Sequence, residues 1–295
     1  VVLAALAAYV VAVAAAAWLA SGPPARRALA VAVAAAGLAA PWFVPAHLPL
    51  ERAVIALGGA WGVARVLDLA RERLPRPGVL RRLVHVFAVV DTRTLAPRPR
   101  TIAWGLLAGT LVAALAAAAA LAVSTASAAD PDPGPSRLVL RWAAAVAFVL
   151  ATAEALDRGV RVLFRLAGFE AGALQRAPLR STTLREFWGR RWNRVVQAWL
   201  SEHAFGPVAR RHGAGAGTAA AFGASALLHA YLLIAAAGAA AAATWAAFFA
   251  VQGALVLAEA RLGVARWRPG AGRAWTLGTL LATAPLFVEP LLRCF

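Results

Sequence analysis

From Ser181 to Val208 the chain reads STTLREFWGRRWNRVVQAWLSEHAFGPV, and from Gly217 to Gly238 it reads GTAAAFGASALLHAYLLIAAAG. The first stretch is dense in arginine and tryptophan. The second is apolar over a length that suits a membrane span, which takes about 20 such residues, and it holds one histidine, His229, near its middle. A basic, aromatic run feeding an apolar helix sets the fold class: all-α and embedded in a membrane.

Composition agrees. Of 295 residues, 62% are hydrophobic and the mean hydropathy is +0.70, whereas soluble domains are closer to half apolar. The formal charge is nevertheless +17, from 30 basic and 13 acidic residues, and every one of the 30 is arginine. A GC-rich coding sequence accounts for much of the arginine and alanine. Arginine also grips phosphate and carboxylate in a bidentate fork. Basic residues that flank lipid spans set topology, so the charge does not imply nucleic acid as a partner. The one cysteine, Cys294, excludes an intramolecular disulfide and a thiolate metal cluster.

Apolar windows fall at about 1–20, 28–46, 53–70, 101–123, 138–157, 217–238, 241–260 and 275–292, which predicts about eight transmembrane helices with interfacial or re-entrant helices around a buried chamber, in one domain over 1–295. The first window reads as a span and not a leader, because no basic stretch precedes it and Pro23–Pro24 follow it directly. Small residues let helix backbones approach closely, so the alanine-rich helices are expected to sit against protein more than lipid. Of the 30 arginines, 25 fall in 21–27, 71–100, 158–216 and 261–274. With eight spans these four regions share one side, which the positive-inside rule makes cytoplasmic, leaving both termini outside a bacterial inner membrane. Arg65, Asp68, Glu154, Asp157 and Glu259 fall towards span ends, where they can reach the cytoplasmic interface. Within 71–100, VLRRLVHVFAVVDTRTL reads as a short interfacial helix in which His85 is a surface histidine. The acidic stretch 129–136 reads as a solvated turn.

Thr183-Leu184-Arg185-Glu186 is a capping box, with Glu186 placed to reach back to the threonine. A helix from there carries Leu184, Phe187, Trp188, Trp192, Val195, Val196, Trp199 and Leu200 on one face, and Glu186, Arg190, Asn193, Arg194 and Gln197 on the other. Gly189 suits a close backbone approach or a bend. Two readings fit this pattern: an amphipathic helix whose tryptophans and arginines meet lipid headgroups, or a site where Arg190, Arg191 and Arg194 hold a phosphate-bearing ligand with Asn193 turned inward. For His229, the depth in its span favours function, since ionisable groups there are costly, and burial keeps the ring neutral, the form a general base needs. Ser225, one turn earlier, can hydrogen-bond to it. A packed histidine bonded to a neighbouring helix fits as well. Haem ligation is disfavoured, as no second histidine occupies a span.

LREFWGRRWN followed by FGASALLH resembles the wax synthase branch of the membrane-bound O-acyltransferase superfamily, where FWGRRWN or FWGRRWH precedes a small-residue helix of the type SGLMHE. The likeness covers about 181–231, with seven consecutive residues, Phe187 to Asn193, at its centre. Ala226 and Ala230 stand where that pattern has glycine and glutamate, which bears on the acceptor site and not on the reaction class. The resemblance implies an enzyme that moves an acyl group from acyl-CoA to the hydroxyl of a lipophilic alcohol, with no permanently bound cofactor and no metal. It implies His229 as general base and Asn193 as the second polar residue of the active site. Arg190, Arg191 and Arg194, with Trp188 and Trp192, are the candidates for the acyl-CoA site, and Ser225 and Gln197 for support of the reacting groups. Acyl-CoA, an alcohol acceptor and membrane lipids are the expected partners. The alternative is a non-enzymatic transporter or assembly subunit, which leaves the Phe187–Asn193 run unexplained. Asn193 and His229 are expected to face one chamber.

Overall fold

The structure is a computed structural model that describes residues 1–71, 78–128 and 134–295. Arg73, Arg76 and residues 129–133 of the acidic stretch lie outside the described residues. The fold is all-α and polytopic. Its helices are α1 (Val2–Leu19), α2 (Pro24–Ala36), α3 (Pro49–Arg71), α4 (Val79–Phe87), α5 (Trp104–Ala128), α6 (Pro135–Leu166), α7 (Leu184–Glu186), α8 (Arg194–Leu200), α9 (Gly206–Ala236), α10 (Ala239–Leu262) and α11 (Pro269–Leu292). One two-residue antiparallel ladder pairs β1 (Ala96–Pro97) with β2 (Phe169–Glu170). Among the described residues, seven helical stretches are long and apolar enough to cross a membrane: α1, α3, α5, α6, the run Arg194–Ala236, α10 and α11.

The window at 28–46 is the difference from eight. It is not one span-length helix. The 13-residue α2 gives way to a tighter 3-10 stretch, Gly37–Phe43, with Pro41 inside it. Pro41 has no N–H to donate and its ring crowds the carbonyl four residues back, which favours a change of winding here, although α11 continues through Pro285 and Pro290. Even so, the two pieces run alongside α3: Arg27 donates to the Ala70 carbonyl at one end of α3, and Arg52, near its other end, donates to the Val44 carbonyl. At ~1.5 Å per α residue and ~2.0 Å per 3-10 residue they reach about 33 Å, close to the ~30 Å hydrocarbon core.

The chain forms two compact units. The first comprises Val1–Thr92, Leu227–Ala243 and Arg293–Phe295, and the second Arg93–Ala226 and Thr244–Leu292. In the first, glycines on α3 admit its neighbours: a Cβ on Gly62 would lie 2.8 Å from Val13, and one on Gly58 would lie 3.3 Å from the Tyr9 ring. Tyr9 donates to the Gly58 carbonyl, and Tyr231 on α9 donates to the Leu38 carbonyl beside Gly59. Arg82 on α4 donates to the Ala17 carbonyl, which ties α4 to the end of α1. His85 is not the surface histidine the sequence predicts. It is 1% exposed, with Nδ1 2.9 Å from the Thr92 hydroxyl and Nε2 3.4 Å from Asp68, which itself pairs with Arg65 at 3.0 Å. The amphipathic α4 turns Arg82 and His85 inward while Val79, Leu80, Val84 and Phe87 stay exposed.

In the second unit α5 and α6 pack as an antiparallel hairpin with Gly159 against Thr110. α6 is 32 residues long, ~48 Å, so it projects well past a bilayer core and carries Arg158, Arg161 and Arg165 in its last turns. The most apolar windows of α5 and α6 are only 11% and 6% buried. For α5, in which 11 of 25 residues are alanine, the expected burial against protein is therefore not met among the described residues. α10 and α11 run antiparallel, with pairs at three levels: Trp245 with the Phe287 carbonyl, Gln252 with Thr283, and Glu259 with Trp275. Arg65, Asp68, Asp157 and Glu259 do not reach an interface, since all are 4% exposed or less. Charges removed from water need partners, and these have them. Glu154, by contrast, is more open and pairs with Arg158 one turn on.

Candidate active site

The Arg/Trp run is not one amphipathic helix. Thr183 caps α7 by accepting from the Glu186 N–H at 2.9 Å, as the capping box predicts. The Glu186 carboxylate reaches back one residue further than expected, to the N–H and hydroxyl of Thr182. Burial alone would raise its pKa, but the Thr182 N–H, the Arg191 guanidinium and the Thr182 hydroxyl together hold it below the ordinary carboxylate value. From Phe187 to Arg191 the backbone widens into a π-turn, closed by the Trp192 N–H on the Phe187 carbonyl at 2.9 Å. Such wide turns concentrate at functional sites. Trp192 is then extended and Asn193 left-handed, with φ 40° and ψ 62°. Asparagine tolerates that conformation better than most residues. It begins α8, where its Oδ1 accepts from the Val196 N–H at 3.4 Å, which leaves the amide NH2 as the donor end of the side chain.

The broken run is held by a strap at 173–176. The Arg176 N–H donates to the Arg191 carbonyl, the Arg194 N–H donates to the Leu174 carbonyl, and the Asn193 N–H donates to the Gln175 side chain at 3.0 Å. Asp157, buried on α6, accepts from the Leu174 N–H and so fixes the strap. Just upstream, Glu170 is held below the usual carboxylate range by Arg165 first, despite some burial, and then by Arg98. From the far side Glu259 on α10 accepts from the N–H groups of Leu184 and Arg185, at 2.8 and 2.6 Å. Two turns earlier on α10, Gln252 is wholly buried; it accepts from the Trp188 indole at 3.0 Å and donates to Thr283 at 2.7 Å. Trp188 is thereby locked with its ring edge-on to Phe222 and Phe249, centroids 6.1 Å away in each case.

These elements enclose one side of a cavity of about 280 Å³. Its wall includes Trp188, Gly189, Phe205, Ala221, Phe222, Phe249 and Val256 as apolar surface. Gln197, Ser201, Thr218 and Ser225 give hydroxyl and amide groups, and the exposed Arg185 and Arg190 add two cations. Of the two sequence readings of Gly189, the structure fits the bend, since it lies in the π-turn, and not the close approach: a Cβ there would find nothing within 4 Å. Its missing side chain leaves cavity space.

Of the predicted residues, the cavity brings together Trp188, Arg190, Gln197 and Ser225; Asn193 and His229, expected to face one chamber, are not among the residues that line it. Arg191 and Arg194 are turned back into the protein. Arg191 pairs with Glu186 at 2.7 Å and donates to the Arg176 carbonyl, and Arg194 donates to the Ala173 carbonyl. Trp192 stacks on Phe187, centroids 5.6 Å apart and 11° from parallel. Asn193 lies one turn before Gln197 on α8. His229 is half-buried, one turn after Ser225 on α9 and two residues before Tyr231, whose hydroxyl donates to the Leu38 carbonyl within the first unit. Sequence reasoning missed Arg185, Gln252 and Glu259. A glutamine and a glutamate seven residues apart in an apolar span, two turns along one face, were the signal available for the latter pair.

No curated protein matches the chain. Residues 173–251 match the model of a family described as membrane bound O-acyl transferase, a stretch that takes in the strap, the π-turn, Asn193, nearly all of the cavity wall and His229. The match covers 79 of the 295 residues, so it marks that stretch of this all-α polytopic membrane protein as similar to the membrane bound O-acyl transferase family, whose members are acyltransferases.

Proposed function

We propose that the chain is an acyl-CoA-dependent O-acyltransferase of the wax synthase type that esterifies a lipophilic alcohol by direct transfer. The observation that carries this reading is the cavity between the Trp188–Arg190 turn and Ser225 on α9, whose lining holds two arginines and the aromatic rings of Trp188, Phe205, Phe222 and Phe249. That combination suits a ligand with a polyanionic head and an apolar tail. His229 accepts the acceptor's hydroxyl proton as the oxygen attacks the thioester carbonyl. The new C–O bond forms, the C–S bond breaks, and the proton passes on to the CoA thiolate. The amide NH2 of Asn193 donates to the developing oxyanion or orients the acceptor. A well-placed oxyanion donor is worth about 3–4 kcal/mol of barrier, and a general base about 10²–10⁴-fold in rate.

Arg190, joined by Arg185, is the better candidate for CoA phosphates, since Arg191 and Arg194 are engaged in holding the turn. A covalent acyl-enzyme on sulfur is disfavoured because the single thiol, Cys294, is buried and burial pushes its pKa up. The arginine-rich regions are assigned to the cytoplasmic face, where CoA is available. Purified protein assayed with acyl-CoA and a panel of alcohols tests the reading. His229→Ala is expected to lose at least 10²-fold in kcat, and retention of near-normal turnover sinks the base assignment. Asn193→Ala is expected to lose kcat while donor affinity holds.

A further inference from the structure

The cavity in the second unit carries a size argument, which rests on the acyltransferase reading above. Its volume is about 280 Å³. Two residues set that space. Gly189, in the π-turn, contributes wall but no side chain, and a Cβ there meets nothing within 4 Å. Its φ is not in the left-handed region, so a larger residue fits the backbone and projects into empty volume. Phe222, opposite on α9, is pressed into place by α10: a Cβ on Gly253 would lie 2.9 Å from the Phe222 Cβ. Its ring meets Trp188, which Gln252 holds from behind.

We infer that the cavity is the acyl pocket and that Gly189 and Phe222 fix the length of chain it takes. Each buried methylene adds about fourfold to affinity while it stays inside, and nothing once the pocket is full.

The test uses the full chain in detergent and non-reactive thioether analogues of acyl-CoA, from acetyl to palmitoyl. Affinity is expected to climb with chain length and then level off within the acetyl-to-palmitoyl series in the unaltered protein. Gly189→Leu moves the plateau to shorter chains, and Phe222→Ala moves it to longer ones. Gly253→Ala, which crowds Phe222 from the other side, is an independent variant that perturbs the same ring without removing it and is expected to shift the plateau. If affinity in the unaltered protein is independent of chain length, or if Gly189→Leu and Phe222→Ala weaken all analogues equally, the inference is wrong. Turnover is measured alongside. Turnover without a length plateau overturns this inference alone, and a length plateau without turnover for any donor and alcohol overturns the acyltransferase reading.

Discussion

Two segments of this protein look alike in sequence and behave differently in the fold. Residues 79–92 and residues 181–194 both mix arginine with large apolar side chains, both include a residue whose role is hard to guess, and both read as interfacial helices. In the first, the polar groups turn inward. Arg82 is spent on the Ala17 carbonyl, and His85 is buried between Thr92 and the Asp68–Arg65 pair. The segment becomes a fastening. In the second, the backbone itself is fastened, by Glu259, the 173–176 strap and Glu186, so that Arg185, Trp188, Gly189 and Arg190 are left to line a cavity. A segment presents side chains to a ligand when other residues satisfy its backbone; it becomes structural when its own side chains do that work.

The comparison breaks most sharply at Asp68. Asp68→Ala leaves Arg65 and His85 buried without their carboxylate, and loss of one partner of a buried ion pair costs about 3–5 kcal/mol. Thermal melting in detergent is expected to fall strongly, with donor affinity kept in the protein that remains folded. Glu259→Ala is next. It strips acceptors from two backbone N–H groups and the Trp275 indole, at about 1–3 kcal/mol for a buried donor left unpaired. Both melting and turnover are expected to drop, because the turn that carries Trp188 loosens. If Glu259→Ala melted like the unaltered protein, the fastened-backbone account would be wrong.

Arg185→Ala and Arg190→Ala sit on the other side of the comparison. Each is expected to weaken binding of CoA by about tenfold, the effect of a lost charge-assisted contact, and to leave melting unchanged. Arg191→Ala is expected to do the reverse. The smallest effect belongs to pH. The Glu186 carboxyl sits below its ordinary value of 4.5, so its stabilising contribution is present above that value and is lost as pH falls through the depressed one. Melting temperature is expected to decline in that acid window and to decline less in Glu186→Gln. Equal slopes in the two proteins would remove Glu186 from the account of how the turn is held.

The helices were legible because hydrophobic length is a one-dimensional property. Seven of the eight windows correspond to a helix of span length, and the other is shared between α2 and a 3-10 stretch, a change of winding that hydropathy does not record. The capping box at Thr183 was legible for a similar reason, being a contact between residues three apart. The single helix expected from 184 to 200 failed because apolar spacing cannot register a π-turn or a left-handed asparagine. Those follow from hydrogen bonds to residues 15 to 75 positions away, as Arg176, Gln175 and Glu259 make them.

By itself, then, the sequence determined a helical membrane protein and singled out one stretch, with His229 and Asn193, to test, since span length, charge distribution and a local motif are all written along the chain. Only the tertiary structure decided which arginines are available to a ligand, that Gly189 opens space instead of admitting a neighbour, and that His85 is buried. Each of those depends on where a partner from another helix falls, and no spacing within one segment encodes that.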